Sequence, residues 1–125
     1  MDKQHKILIV EDEPALSRAL VTKFKKEGFT VFKASDGEEG LRIALQEHPH
    51  IILLDIVMPI MDGITMLEKL RADVWGKDVA VIMLTNLADE VKVAEVMRFG
   101  SRDFLIKTDW QLSDVVKKVK DRLKI

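Results

Sequence analysis

Five short apolar runs separated by helical segments constrain this chain more than any other feature. The runs are Ile7-Leu8-Ile9-Val10, Thr30-Val31-Phe32, Ile51-Ile52-Leu53-Leu54, Val79 to Leu84 and Phe104-Leu105-Ile106. They are rich in Ile and Val and bounded by polar residues, which favours strands. The first, third and fourth are apolar at consecutive positions, the pattern of strands covered on both faces. Between the runs the period becomes helical. Leu16, Leu20 and Phe24 recur every four residues, after Pro14 and before Gly28. Ser35-Asp36-Gly37-Glu38 reads as a capping box ahead of Leu41 and Leu45. Asp62-Gly63 opens a segment carrying Ile64, Leu67 and Leu70, and Asp89 to Phe99 forms a short helix stopped by Gly100. Leu112, Val115, Val116, Val119 and Leu123 give the last helix an apolar stripe, read as core packing.

The order βαβαβαβαβα predicts an α/β protein: a parallel sheet with helices on both faces. With right-handed crossovers, five strands favour a flavodoxin-like (βα)5 three-layer sandwich in the order 2-1-3-4-5. The 125 residues suit one domain over 1–125 with its own core. A charged fraction of 33% against 47% hydrophobic is an ordinary globular mix. The net charge of -1 creates no field favouring nucleic acid or an anionic membrane, so neither is expected as a partner. No cysteine is present, which excludes disulfides, thiolate metal sites and cysteine nucleophiles. The longest apolar run, Val79 to Leu84, falls far short of the roughly 18 residues that suggest a membrane span. The N-terminus leads into a run too short for a signal peptide core, and a cytoplasmic protein is expected.

In open α/β sheets, ligands bind beyond the carboxyl ends of the strands, where strand order reverses. Glu11-Asp12-Glu13 follow the first run, Asp55 ends the third, Thr85 ends the fourth and Lys107 follows the fifth. The expected order sets Asp12 against Asp55, with Thr85 and Lys107 on the other side. Each residue alone has an ordinary reading. An aspartate after a strand is usually a turn or cap, and Glu11-Asp12-Glu13 would favour a helix N-terminus. Thr85 could be a plain strand end and Lys107 a solvated cation. Their coincidence at one edge has a chemistry, however. Clustered carboxylates suit Mg²⁺, which takes oxygen ligands and keeps several waters. A lysine pairs with a carboxylate or a phosphoryl group, a threonine hydroxyl donates to the latter, and an aspartate can accept it as a nucleophile.

With these residues in view, the chain resembles the receiver domain of two-component response regulators over essentially its whole length. The matching motifs are "ILIVEDEP" at 7–14, "LLDIVMPIMDG" at 53–63, "VIMLTN" at 81–86 and "FGSRDFLIK" at 99–107. The resemblance implies that Asp55 accepts a phosphoryl group from a sensor histidine kinase or a histidine phosphotransfer protein. It implies Mg²⁺ as cofactor, with Mn²⁺ as a substitute. Asp12 and Asp55 would be ligands, with Glu11 assisting and the Val57 backbone carbonyl completing the set. Thr85 would bond the phosphoryl oxygen, Lys107 would pair with it, and Phe104 aligns with the switch aromatic. A plain packing role for Phe104 is an equal alternative. Output would run through a downstream protein or a homodimer, using the fourth helix, the fifth strand and the last helix. Such a protein is a switch that catalyses only its own phosphorylation and dephosphorylation, not a turnover enzyme.

Three departures from the family pattern stand out. Thr108 replaces the usual proline, and a cis bond before a non-proline residue costs about 2.5–4 kcal/mol, so a trans Lys107-Thr108 bond is expected. Thr108-Asp109-Trp110-Gln111 would instead start the last helix as a capping box, with Trp110 in its first turn. Asn86 is larger than the residue common after the threonine. Val57 and Leu87 are apolar where the family tunes phosphoryl lifetime, which predicts slow self-dephosphorylation. Two other functions compete. A degenerate receiver would bind a partner without phosphorylation. A Mg²⁺-dependent aspartyl phosphatase would carry a second aspartate at position 57, where this chain has Val57. His5, His48 and His50 read as solvated, Trp75 as a loop residue covering an end of the core, and Lys117, Lys118, Lys120, Arg122 and Lys124 as a solvated helix face.

Overall fold

The computed structural model describes residues 4–85, 94, 97–98, 103–106 and 111–125, with the backbone alone at Thr85, Asp103 and Ile106. All five apolar runs form strands: β1 (Lys6–Val10), β2 (Thr30–Ala34), β3 (Ile51–Asp55), β4 (Ala80–Thr85) and β5 (Asp103–Ile106). They build one parallel sheet in the order β2-β1-β3-β4-β5. The helices α1 (Pro14–Lys26), α2 (Gly37–Glu47), α3 (Gly63–Arg71) and the C-terminal helix (Leu112–Leu123) connect or follow them. A (βα)5 chain implies five helices, and four are traced among the described residues. Of the span expected for the remaining one, Ala94, Met97 and Arg98 are described and helical.

Alternation along each strand divides the interior into two layers. Leu8, Val10, Ile52, Leu54, Val81 and Met83 face α2 and α3, joining Ala44, Met66, Leu67 and Leu70. Ile7, Ile9, Ile51, Leu53, Ile82 and Leu84 face the other way, against Leu20, Phe24, Val115, Val116 and Val119. The central strands are therefore apolar throughout because both faces are covered. Fully burying one such side chain contributes about 1.5–3 kcal/mol, so the two layers dominate the stability.

Helix ends follow local chemistry, with two corrections. Pro14 occupies the first turn of α1, and Gly28 follows that helix with φ 91°, a conformation glycine takes at no steric cost. The α2 cap is Asp36, not Ser35: the Asp36 carboxylate accepts from the Glu39 N–H at 2.8 Å. Glu39 in turn accepts from the Ser35 N–H at 2.8 Å, one residue before the cap, so the start is shifted by one residue and the reciprocal bond goes to Ser35. The C-terminal helix begins after Gln111, not after Thr108. Asp114 accepts from the Gln111 N–H at 2.8 Å, closing the end three residues later than the sequence suggested. A carboxylate in the first turn also meets the positive helix end, which glutamine at that position would not.

His48, His50 and Lys120 are engaged rather than merely solvated. His50 Nδ1 accepts from the Lys6 N–H, and the His50 N–H donates to the Lys6 carbonyl, both at 2.9 Å. His48 stacks on Trp75 with ring centroids 4.3 Å apart and planes 9° from parallel. Trp75 packs against the α2–α3 side of the core, as expected. Lys120 donates to Glu27 at 2.7 Å, tying the C-terminal helix to the end of α1.

Candidate functional site

The register brings the acidic residues together. Val10 sits beside both Ala34 and Leu54, so the residues after β1 emerge next to the end of β3. The Glu11 N–H donates to the Ala34 carbonyl at 3.0 Å, which carries the β1 end one residue further toward β2. Glu11 is then 1% exposed and Asp55 4% exposed, while Asp12 stands in solvent. One carboxylate oxygen from each of these three residues lies within 4.8 Å of the others. The Glu13 N–H donates to Glu11 Oε2 at 3.0 Å, fixing that side chain at the entry to α1.

The loop from β3 to α3 is equally determined. The Ile56 N–H donates to the Leu84 carbonyl at 3.2 Å, and the Gly63 N–H donates to the Ile56 carbonyl at 2.8 Å. A Cβ on Gly63 would collide with the Asp55 carbonyl oxygen, so glycine is required for this approach. Asp62 caps α3 by accepting from the Thr65 N–H at 2.7 Å. Met58 is buried in the loop, whereas the side chains of Val57 and Ile60 are 68% and 76% exposed.

The donor set fits a hard divalent cation. It is all oxygen, with no thiolate or imidazole, and two of its members are recessed from water. At this spacing each ionised pair repels by about 3 kcal/mol at an effective dielectric of 20. A hydrogen bond to a charged carboxylate contributes about 1.5–3 kcal/mol, less than the repulsion summed over three such pairs, so the cluster fits a cation among its carboxylates.

The structure thus joins Glu11, Asp12 and Asp55 as the sequence predicts. Backbone register puts Thr85 at the end of β4, in the pair Thr85–Ile106, with Asp55 beside Leu84. Phe104 is half-buried on β5 opposite Met83 and packs on the α2–α3 side of the core. The Thr85 side chain, Asn86, Leu87, Lys107, Thr108 and Trp110 lie outside the described residues, as does the Lys107-Thr108 bond. Sequence reasoning did not pick out Arg18 and Lys33, which line a cleft of about 450 Å³ beside Glu11 and Asp12. Lys33 is the one charged residue of β2 and is exposed, beside the half-buried Phe32 and the buried Ala34, a signal the sequence carries.

Fold and site together define a flavodoxin-like protein with a cluster of three carboxylates at its topological switch point. The family model described as the response regulator receiver domain matches residues 7–120, and the chain belongs to that family. A probable transcriptional regulator, ycf27, of Porphyridium aerugineum is 37% identical over 84% of this chain and 42% of its own length. The chain spans less than half the length of this and other such relatives. A CheY-like response regulator receiver domain protein from Methanospirillum hungatei matches with a TM-score of 0.91 and 27% identity, over 98% of this chain and 95% of its own. A CheX-CheY-BeF3-Mg²⁺ complex from Borrelia burgdorferi matches with a TM-score of 0.85 and 31% identity, over 95% and 89%. Among the described residues no helix is long and apolar enough to cross a membrane.

Proposed function

We propose that the chain acts as a single phosphoacceptor receiver unit over residues 1–125, switched in the cytoplasm by Mg²⁺-dependent phosphorylation of Asp55. The observation that carries this reading is a recessed Asp55 with the Glu11 and Asp12 carboxylates held within 4.8 Å of it. The donor is a histidine kinase or a histidine phosphotransfer protein. A carboxylate oxygen of Asp55 attacks the phosphorus as the N–P bond breaks, and the electron pair returns to the donor imidazole. Bound Mg²⁺ supplies charge neutralisation for the carboxylates and the incoming oxygens. Asp12, Asp55 and the Val57 carbonyl would hold it, with Glu11 assisting. Thr85 donates to the phosphoryl oxygen, Lys107 pairs with it, and Phe104 answers through the end of β5. Signal leaves through the surface of the fourth helix, β5 and the C-terminal helix, to a downstream protein or a second copy.

The aliphatic side chain of Val57, in solvent two residues from Asp55, has no group to orient an attacking water, which supports a long-lived phosphoryl group. The test is intact mass after incubation with Mg²⁺ and acetyl phosphate. Wild type should gain one phosphate and Asp55→Asn none. Gain by the variant, or no gain by wild type from acetyl phosphate or any phosphohistidine donor, would overturn the reading in favour of a phosphorylation-independent binding module.

A further inference from the structure

One turn beside the acidic site holds a residue in a conformation it resists. Ile60 has φ 67°, in the left-handed region. For a β-branched side chain this is an outlier, whereas glycine or asparagine adopts it readily. The surrounding backbone enforces the turn. The Met61 N–H donates to the Pro59 carbonyl at 2.7 Å, and the Met61 carbonyl accepts from the Gly37 N–H at 2.9 Å. The Gly63 N–H closes the loop on the Ile56 carbonyl. None of these bonds uses the Ile60 side chain. That side chain is 76% exposed, so it recovers little from the protein's own core. A strained apolar side chain held out in water is an observation that points to a role outside the free molecule.

What meets it follows from the position of Asp55. That carboxylate is 4% exposed, at the bottom of the same loop. A histidine carried on a protein reaches it only if the surface around that histidine settles on the rim. Toward β1 and β2 the rim carries Asp12, Glu13, Arg18 and Lys33. From Val57 to Ile60 it has no charge and three exposed apolar residues, Val57, Pro59 and Ile60. The geometry points to this apolar rim as a docking surface for the protein that delivers the phosphoryl group. Ile60 is its anchor, seated in an apolar patch beside the donor's histidine. This rests on the receiver reading above and deepens it.

Two donors separate the two claims: acetyl phosphate, which needs only the site, and a phosphorylated histidine phosphotransfer domain selected for loading wild type. Ile60→Asn should melt about 3 °C higher through relief of strain. Its loading by acetyl phosphate should stay within twofold, while transfer from the phosphotransfer domain falls about tenfold. Ile60→Leu, which keeps the apolar bulk, should retain most of that transfer. Unchanged transfer in Ile60→Asn overturns the proposal. So does an equal fall with both donors, which would place the effect in the site, and so does an unchanged melting temperature, which would remove the strain. If wild type self-associates through this rim, with transfer indifferent to Ile60, the patch serves a second copy and the proposal fails. If no phosphotransfer domain loads wild type, the docking surface falls while the acetyl phosphate arm still judges the receiver reading.

Discussion

The two ends of the sheet use polar residues in opposite ways. Where β1 begins, Lys6 and His50 satisfy each other through two hydrogen bonds of 2.9 Å, and Lys6 Nζ donates to the Glu47 carbonyl at 3.1 Å. Where β1 and β3 end, three carboxylates are gathered within 4.8 Å, two of them nearly out of water. The first end is closed on itself. The second holds like charges together and beside them bends Ile60 into a left-handed turn. Satisfied polar groups at one end stabilise the fold. Crowded carboxylates and a strained turn at the other cost stability, which marks that end as the candidate functional site.

The largest effect that can break this comparison is at Asp55. Asp55→Asn should abolish phosphate gain from acetyl phosphate while leaving the molecule folded, as intact mass and circular dichroism together will show. Next is Gly63→Ala. Its Cβ would strike the Asp55 carbonyl, so chemical denaturation should register a loss of about 3 kcal/mol, with slower loading of Asp55. At the opposite end, His50→Ala should lose only about 1 kcal/mol in the same assay and leave the loading rate unchanged. A changed loading rate in that variant would show that the ends are not separate.

The smallest effect concerns pH. The Lys120 ammonium, hydrogen-bonded to Glu27 and aided by Lys23, holds the Glu27 carboxyl below its ordinary value of 4.5, although burial opposes this. A depressed carboxyl stabilises the fold at pH above its unfolded value and loses that contribution as pH falls through the folded one. Wild type should therefore outlast Glu27→Gln in thermal melts near neutral pH, and its advantage should shrink as the pH drops below 4.5.

Much of this was legible in the sequence, for physical reasons. Strands buried on both faces have to be apolar at every position, so β1, β3 and β4 announced themselves, and the strand order then brought Glu11, Asp12 and Asp55 to one edge. Helix starts were legible only to within a few residues. Ser35 and Asp36 are both capping residues with a glutamate three positions on, and composition cannot choose between them. Thr108 competed with Gln111 in the same way, and the Asp114 carboxylate decided it. The left-handed turn at Ile60 left no trace, since isoleucine is among the last residues that propensity assigns to positive φ. The bond to His50 was equally silent, because it joins residues 44 positions apart.

The central claim is that the site end holds carboxylate repulsion which a divalent cation relieves. Melting temperatures of wild type and Asp12→Asn, each with Mg²⁺ and with chelator, test it most directly. Without metal the variant should melt above wild type, because one of three clustered charges is gone. Mg²⁺ at about 100 times its dissociation constant should stabilise wild type by about 2.7 kcal/mol and the variant by much less. A variant that melts below wild type without metal, or equal stabilisation of both proteins by Mg²⁺, would contradict the account.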